Sequence, residues 1–158
     1  MTQFLAFLPL AAPLALLAAA AVARTEPGLR PARALSAAGI ASLVALGAAL
    51  LSVMVLIATG AATSPLVGTA GIGLSVRLDA LSVTMLGLVA LVGVVVIRFS
   101  ATYLDGDARQ GLFMGRLCLT LAAVMLLVTS GNTVQLAMAW IATSLALHGL
   151  LVFYGDRR

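Results

Sequence analysis

Five long apolar runs, separated by short polar connections, constrain this chain more than any other feature. A bilayer's hydrocarbon core is about 30 Å thick and needs roughly 20 apolar residues of helix to cross it. Runs of that kind cover residues 4–23, 34–59, 78–97, 112–129 and 133–154. Only backbone bonded within its own segment survives in lipid, so each run predicts a transmembrane helix. The fold class expected is therefore an all-α integral membrane protein of about five helices. Composition says the same: 63% of residues are hydrophobic and 9% charged, against about 25% charged in a soluble domain. That balance excludes disorder. The net charge of +4 is spread along the chain, with no patch to track a phosphate backbone, so nucleic acid is excluded as a partner.

The connections set the topology. Arg24 to Arg33 breaks the first run, and Pro9 and Pro13 are expected to bend the helix before it. Residues 60–75 are rich in Gly, Thr, Ser and Pro, Tyr103 to Arg109 contains Asp105-Gly106-Asp107, and Ser130-Gly131-Asn132 makes a tight turn. Counting Arg116 with the connections, Arg24, Arg30, Arg33, Arg98, Arg109, Arg116, Arg157 and Arg158 fall on one side, and Arg77 alone on the other. The positive-inside rule then predicts an outer N-terminus and a cytoplasmic C-terminus. Ala21-Val22-Ala23 has the form of a signal-peptidase site. The first three residues carry no Arg or Lys and the apolar run is longer than a leader's, so cleavage is not expected.

In the second connection Ile72, Leu74 and Val76 alternate with Gly73, Ser75 and Arg77. That period of two predicts a short outer hairpin between the second and third helices. Gly68, Gly71 and Gly73 lack the spacing and the βαβ setting of a dinucleotide loop. Gly111-x-x-x-Gly115 permits close helix packing without specifying a dimer.

Polar groups within lipid are functional candidates. Ser, Thr and the lone Cys118 of the first, second and fourth spans need no role beyond bonding their own helix or filling space. Arg77 and Asp79, at the head of the third span, read either as an interfacial pair or as Asp79 turned into a bundle, where it is a further proton-path candidate. The fifth span is the informative one. Trp140, Ser144 and His148 follow at i, i+4 and i+8 with Thr143 beside them, a polar stripe on an apolar helix. Histidine exchanges a proton near neutral pH, so the stripe is a candidate proton path. The other reading puts His148 at the interface beside Tyr154. No metal site, nucleophile or acid–base pair stands nearby. The chain reads as part of a transporter, not as an enzyme, with no cofactor expected.

The ordered landmarks resemble a known family. Val76-Arg77-Leu78-Asp79-Ala80-Leu81-Ser82 resembles the entry to a span in the antiporter-like membrane subunits, the fifth-subunit type of complex I and the Mrp cation/proton antiporters. Phe99 to Asp107 resembles their next connection, and Asp105 and Asp107 belong to it as interfacial residues. Ser130-Gly131-Asn132 followed by Leu136 to Trp140 resembles the start of their fifth helix. Respiratory and Mrp members carry a proton-path Glu directly after that Trp; here the position is Ile141. The run Ala139 to His148 is instead similar to the divergent branch that forms the membrane subunit (DabB type) of DAB inorganic-carbon pumps. That resemblance implies a proton- or cation-translocating subunit of a bacterial inner membrane, energising CO2 hydration to bicarbonate. It also implies a large zinc-containing, carbonic-anhydrase-like partner (DabA type). The alternatives are a subunit of an NADH:quinone oxidoreductase or Mrp-type antiporter, or a small assembly protein. Family members have a dozen or more spans with proton-handling Lys on later helices. With no Lys, this chain is expected to be an N-terminal piece.

Overall fold

A computed structural model describes residues 5–26, 31–69 and 72–154. The expectations resting on Phe4, Arg30, Gly71, Arg157 and Arg158 lie outside the described residues. After a 3-10 turn at Leu8–Leu10, the helices are α1 (Ala11–Thr25), α2 (Ala32–Thr59), α3 (Ala80–Tyr103), α4 (Gln110–Val128) and α5 (Thr133–Leu151). Each, α1 counted with its leading turn, is long and apolar enough to cross a bilayer. The chain is an all-α, multi-pass membrane protein in its described part. Between α2 and α3 run four short strands, β1 (Ala62–Thr63), β2 (Val67–Thr69), β3 (Ile72–Leu74) and β4 (Arg77–Leu78). They nest: β2 pairs antiparallel with β3, and β1 with β4.

Local chemistry fixes where the helices begin. Pro9 sits in the 3-10 turn and Pro13 in the first turn of α1. A first-turn N–H has no helical partner, so proline costs little there. The two prolines thus mark the helix start, in place of the bend within the span that their positions in the sequence predict. Three side-chain carbonyl groups then cap the following helices. Glu26 Oε2 accepts from the backbone N–H of Arg33 and Ala34 at 3.1 and 3.2 Å, heading α2 from six residues before its start. Asp79 Oδ1 accepts from Ser82 N at 2.7 Å at the head of α3, and Asn132 Oδ1 from Gln135 N at 2.7 Å at the head of α5. Each satisfies donors that a helix N-terminus otherwise leaves open.

The core is alanine-rich. Ala12, Leu16 and Ala19 of α1 are buried with Ala38, Ala41, Ala45 and Ala48 of α2, Leu86, Ala90 and Ile97 of α3, and Met114, Cys118, Ala122 and Met125 of α4. Small side chains let backbones approach, and in lipid that close packing is the main source of helix association. Gly111 and Gly115 face inward: a Cβ on Gly111 would lie 3.0 Å from the Pro31 ring, and one on Gly115 3.0 Å from Ala23 Cβ. The motif seats α4 on α1 and the α1–α2 connection. Ser42, Ser52, Thr120 and Thr129 bond back to carbonyls of their own helices, which is the structural role expected of them.

Burial is uneven. Half of the α4 span is buried, but only 11% of the α5 span. α5 leans on α4 and β3 and presents the rest of its circumference outward.

Candidate functional site

The polar stripe of α5 lies on that outward face. Trp140 is 67% exposed, and Ser144 and His148 are exposed as well. The inward face of α5 carries Gln135 and Ala139, both buried, with Thr143 half-buried and bonded to the Ala139 carbonyl at 2.8 Å. The i, i+4, i+8 spacing thus does align three of the residues, but on the side away from the other four helices. Ile141, where the family resemblance leads one to expect a carboxylate, is 55% exposed on the same helix.

Asp79 has a different setting from the stripe. Besides capping α3, its second oxygen pairs with Arg77 Nε at 2.7 Å. The cap from Ser82 chiefly, and the Arg77 guanidinium after it, hold the Asp79 carboxyl below the usual carboxylate range. A carboxylate held ionised and bonded in this way positions a helix end. Asp107 is likewise a turn former: its Oδ1 accepts from Arg109 N at 2.8 Å, and Gly106 supplies the positive φ of 85° that the turn requires. Asp105 is exposed beside them.

Two polar assemblies were not singled out by the sequence. The first joins the α4–α5 turn to the strands. Ser75 N donates to Gln135 Oε1 at 2.9 Å, Asn132 Nδ2 to the Gly73 carbonyl at 2.8 Å, and Gly131 N to the Ser75 carbonyl at 2.9 Å. Arg77 N completes the seam on the Thr129 carbonyl at 3.0 Å. A Cβ at Gly131 would stand 2.9 Å from the Ser75 backbone, so only glycine admits this approach. Asn132-Thr133-Val134-Gln135 has capping-box spacing. Its Gln, instead of turning back to the cap, reaches to Ser75, between β3 and β4 and 60 residues away.

The second centres on Arg116. Counted above with the connections, it is the seventh residue of α4 and lies inside the helix. Its Nη1 donates to the Gly149 carbonyl in the last turn of α5, and its guanidinium lies 4.9 Å from the centre of the Phe153 ring. A cation there satisfies a carbonyl that the helix end leaves open and complements the helix dipole. Its sequence signal was a lone Arg four residues after Leu112 in an apolar run, which hydropathy averaging absorbs.

Residues 65–114 match the family model described as NADH-ubiquinone oxidoreductase (complex I), chain 5 N-terminus. The chain is 38% identical over 151 residues to a protein of Halothiobacillus neapolitanus named "Probable inorganic carbon transporter subunit DabB2". The chain is thus similar, over part of its relatives' length, to antiporter-like membrane subunits. That alignment takes in 90% of this chain and 27% of the relative. A Hydrogenovibrio crunogenus protein, "Probable inorganic carbon transporter subunit DabB", is 37% identical over 52% of this chain and 16% of its own length. NADH-quinone oxidoreductase subunit L of Escherichia coli is 31% identical over 56% of this chain and 14% of its own. The chain therefore spans about a quarter or less of these relatives. The family-model match covers β2 to the start of α4, and so includes β2, β3, β4 and the capped entry to α3 but not β1.

Proposed function

We propose that this chain forms the N-terminal part of the transmembrane domain of a cation-translocating, antiporter-like subunit that energises inorganic-carbon uptake. The observation that carries this reading is the extent of the similarity. The DabB2 relative aligns over 90% of the chain, whereas the subunit L relative aligns over 56%. Ile141 supports the same choice, because a branched aliphatic cannot exchange a proton where the respiratory type has a carboxylate. The coupling ion in this proposal is a proton. The partner is a large zinc-containing, carbonic-anhydrase-like subunit of the DabA type, and the pair hydrates CO2 to bicarbonate in a bacterial inner membrane. The orientation places the N-terminus outside and the C-terminus in the cytoplasm, on the arginine asymmetry.

In this proposal Trp140, Ser144 and His148, with Thr143 at the inner edge of the stripe, belong to a proton path completed by a further wall, because those three residues face away from α1–α4. Asp79, Arg77, Asp105 and Asp107 act as structural and interfacial groups at the helix ends. The experiment is complementation: the full-length subunit with a carbonic-anhydrase-like partner restores growth at ambient CO2 to a carbonic-anhydrase-deficient host. No rescue by an assembled, membrane-inserted complex overturns the inorganic-carbon reading. His148→Ala in that complex lowers uptake at least tenfold, in line with the loss of a positioned proton carrier; undiminished uptake removes His148 from the path.

The second reading, a subunit of an NADH:quinone oxidoreductase or Mrp-type antiporter, is favoured by the chain 5 match over residues 65–114. It expects co-purification with respiratory subunits and no growth rescue.

A further inference from the structure

The end of α1 and the first turns of α4 enclose a cleft that the transport reading does not use. Its volume is about 180 Å³, and it is lined by Ala23, Arg24, Leu112, Gly115, Arg116 and Leu119. That is about six times the ~30 Å³ share of a liquid water, enough for a group larger than solvent.

Two guanidinium groups border this cleft, and among the described residues neither is paired with a carboxylate. Arg24 is exposed, in the last turn of α1. Arg116 is half-buried and donates to the Gly149 carbonyl. A guanidinium carries five N–H donors, so that bond leaves it able to hold an anion. The remaining walls are apolar: Leu112 is 45% exposed, and Leu119 is half-buried one helical face along. Ala23 and Gly115 close the floor, where the two helices touch.

Depth narrows the occupant. Arg116 follows the first residue of α4 by six positions, about 9 Å at the helical rise. That puts its stem among acyl chains and its head within reach of the headgroup layer. A charge at that depth is costly unless it is paired, and arginine pairs well with a phosphate through parallel N–H bonds. A soluble anion would lose its hydration against leucines. A phospholipid brings the phosphate and the apolar tail together, and basic pockets between helices bind anionic headgroups. We propose that this cleft binds an anionic phospholipid, its phosphate held between Arg24 and Arg116 and one acyl chain laid along Leu112 and Leu119.

The test uses the full-length protein in phosphatidylcholine nanodiscs containing trace spin-labelled phosphatidylglycerol or spin-labelled phosphatidylcholine. The wild type immobilises the glycerol lipid in preference to the choline lipid. Arg24→Gln lowers that preference about fivefold, the fold-change that one basic residue's attraction for an anionic lipid implies, and Arg24→Lys keeps most of it. Arg116→Gln also lowers it. Because Arg116 holds the end of α5 too, Arg24→Gln decides the matter. Equal immobilisation of the two lipids by the wild type, or an unchanged preference in Arg24→Gln, overturns the proposal. Displacement of the labelled lipid by excess inorganic phosphate at constant ionic strength also overturns it, in favour of a soluble anion. None of these outcomes depends on inorganic-carbon transport.

Discussion

Asp79 holds the first turn of α3 with one oxygen and Arg77 with the other. Its carboxyl titrates below the usual range because the folded structure bonds the ionised form. The sign follows. A group whose folded pKa is lowered adds stability that is complete above its ordinary value of 3.8 and is lost as pH falls through the lower folded value. Asp79→Ala is expected to cost about 1 kcal/mol at neutral pH, a typical loss for a helix cap. Hydrogen exchange at the Ser82 and Val83 amides checks it, with about fivefold faster opening in the variant at pH 7. The difference shrinks below pH 4, and a difference that persists unchanged there argues against the ionised cap. In the sequence Asp79 was legible as a charged residue at a membrane boundary, but its two readings stayed open. The choice between helix cap and bundle interior depends on where one oxygen points, and residue type does not encode that. Arg116 was harder still. Its partner carbonyl is 33 residues away on another helix, and one charge among so many apolar residues leaves the span's hydropathy high.

At the scale of elements, the α4–α5 turn and the strands form one hydrogen-bonded end piece. Asn132 serves it twice, capping α5 through its oxygen and bonding the Gly73 carbonyl through its nitrogen. Asn132→Ala therefore removes a cap and leaves a strand carbonyl unpaired, an expected loss of about 2 kcal/mol. Asn132→Ser keeps a capping oxygen and gives up the amide nitrogen's bonds to the Gly73 carbonyl and Ser75 Oγ, so it should cost about half as much. Thermal unfolding in detergent of the two variants ranks them, and equal losses would show that the cap contributes nothing. The alternation at residues 72–76 and the turn at residues 130–132 were both legible, each as a local pattern. Their union was not, because Ser75 and Gln135 are distant in sequence and meet only once α3 and α4 have crossed and returned.

For the whole molecule, the helices alternate in direction. Arg24, Arg33, Arg109 and Arg116 gather at one end with the α5 C-terminus, while Arg77 sits at the other with the strands. If the positive-inside rule holds, Thr63→Cys, exposed in β1, reacts with an impermeant maleimide in intact spheroplasts. Asp105→Cys, exposed at the opposite end, reacts only after permeabilisation. Cys118, 1% exposed, stays silent in both. The reverse pattern overturns the orientation.

Residue order alone sets the number of spans, their approximate length and the charge carried by each connection. These follow from bilayer thickness and from the need to satisfy backbone bonds within a segment, which act on any apolar run of sufficient length. Which faces meet is settled by packing. It turned Gly111 and Gly115 inward, made α4 the buried helix, and left Trp140, Ser144 and His148 facing outward on α5. The physical reason is that lipid is as apolar as the core. A helix in water announces its inner face by hydrophobicity, but in a bilayer both faces are equally welcome to apolar side chains. Shape and a few buried hydrogen bonds choose between them.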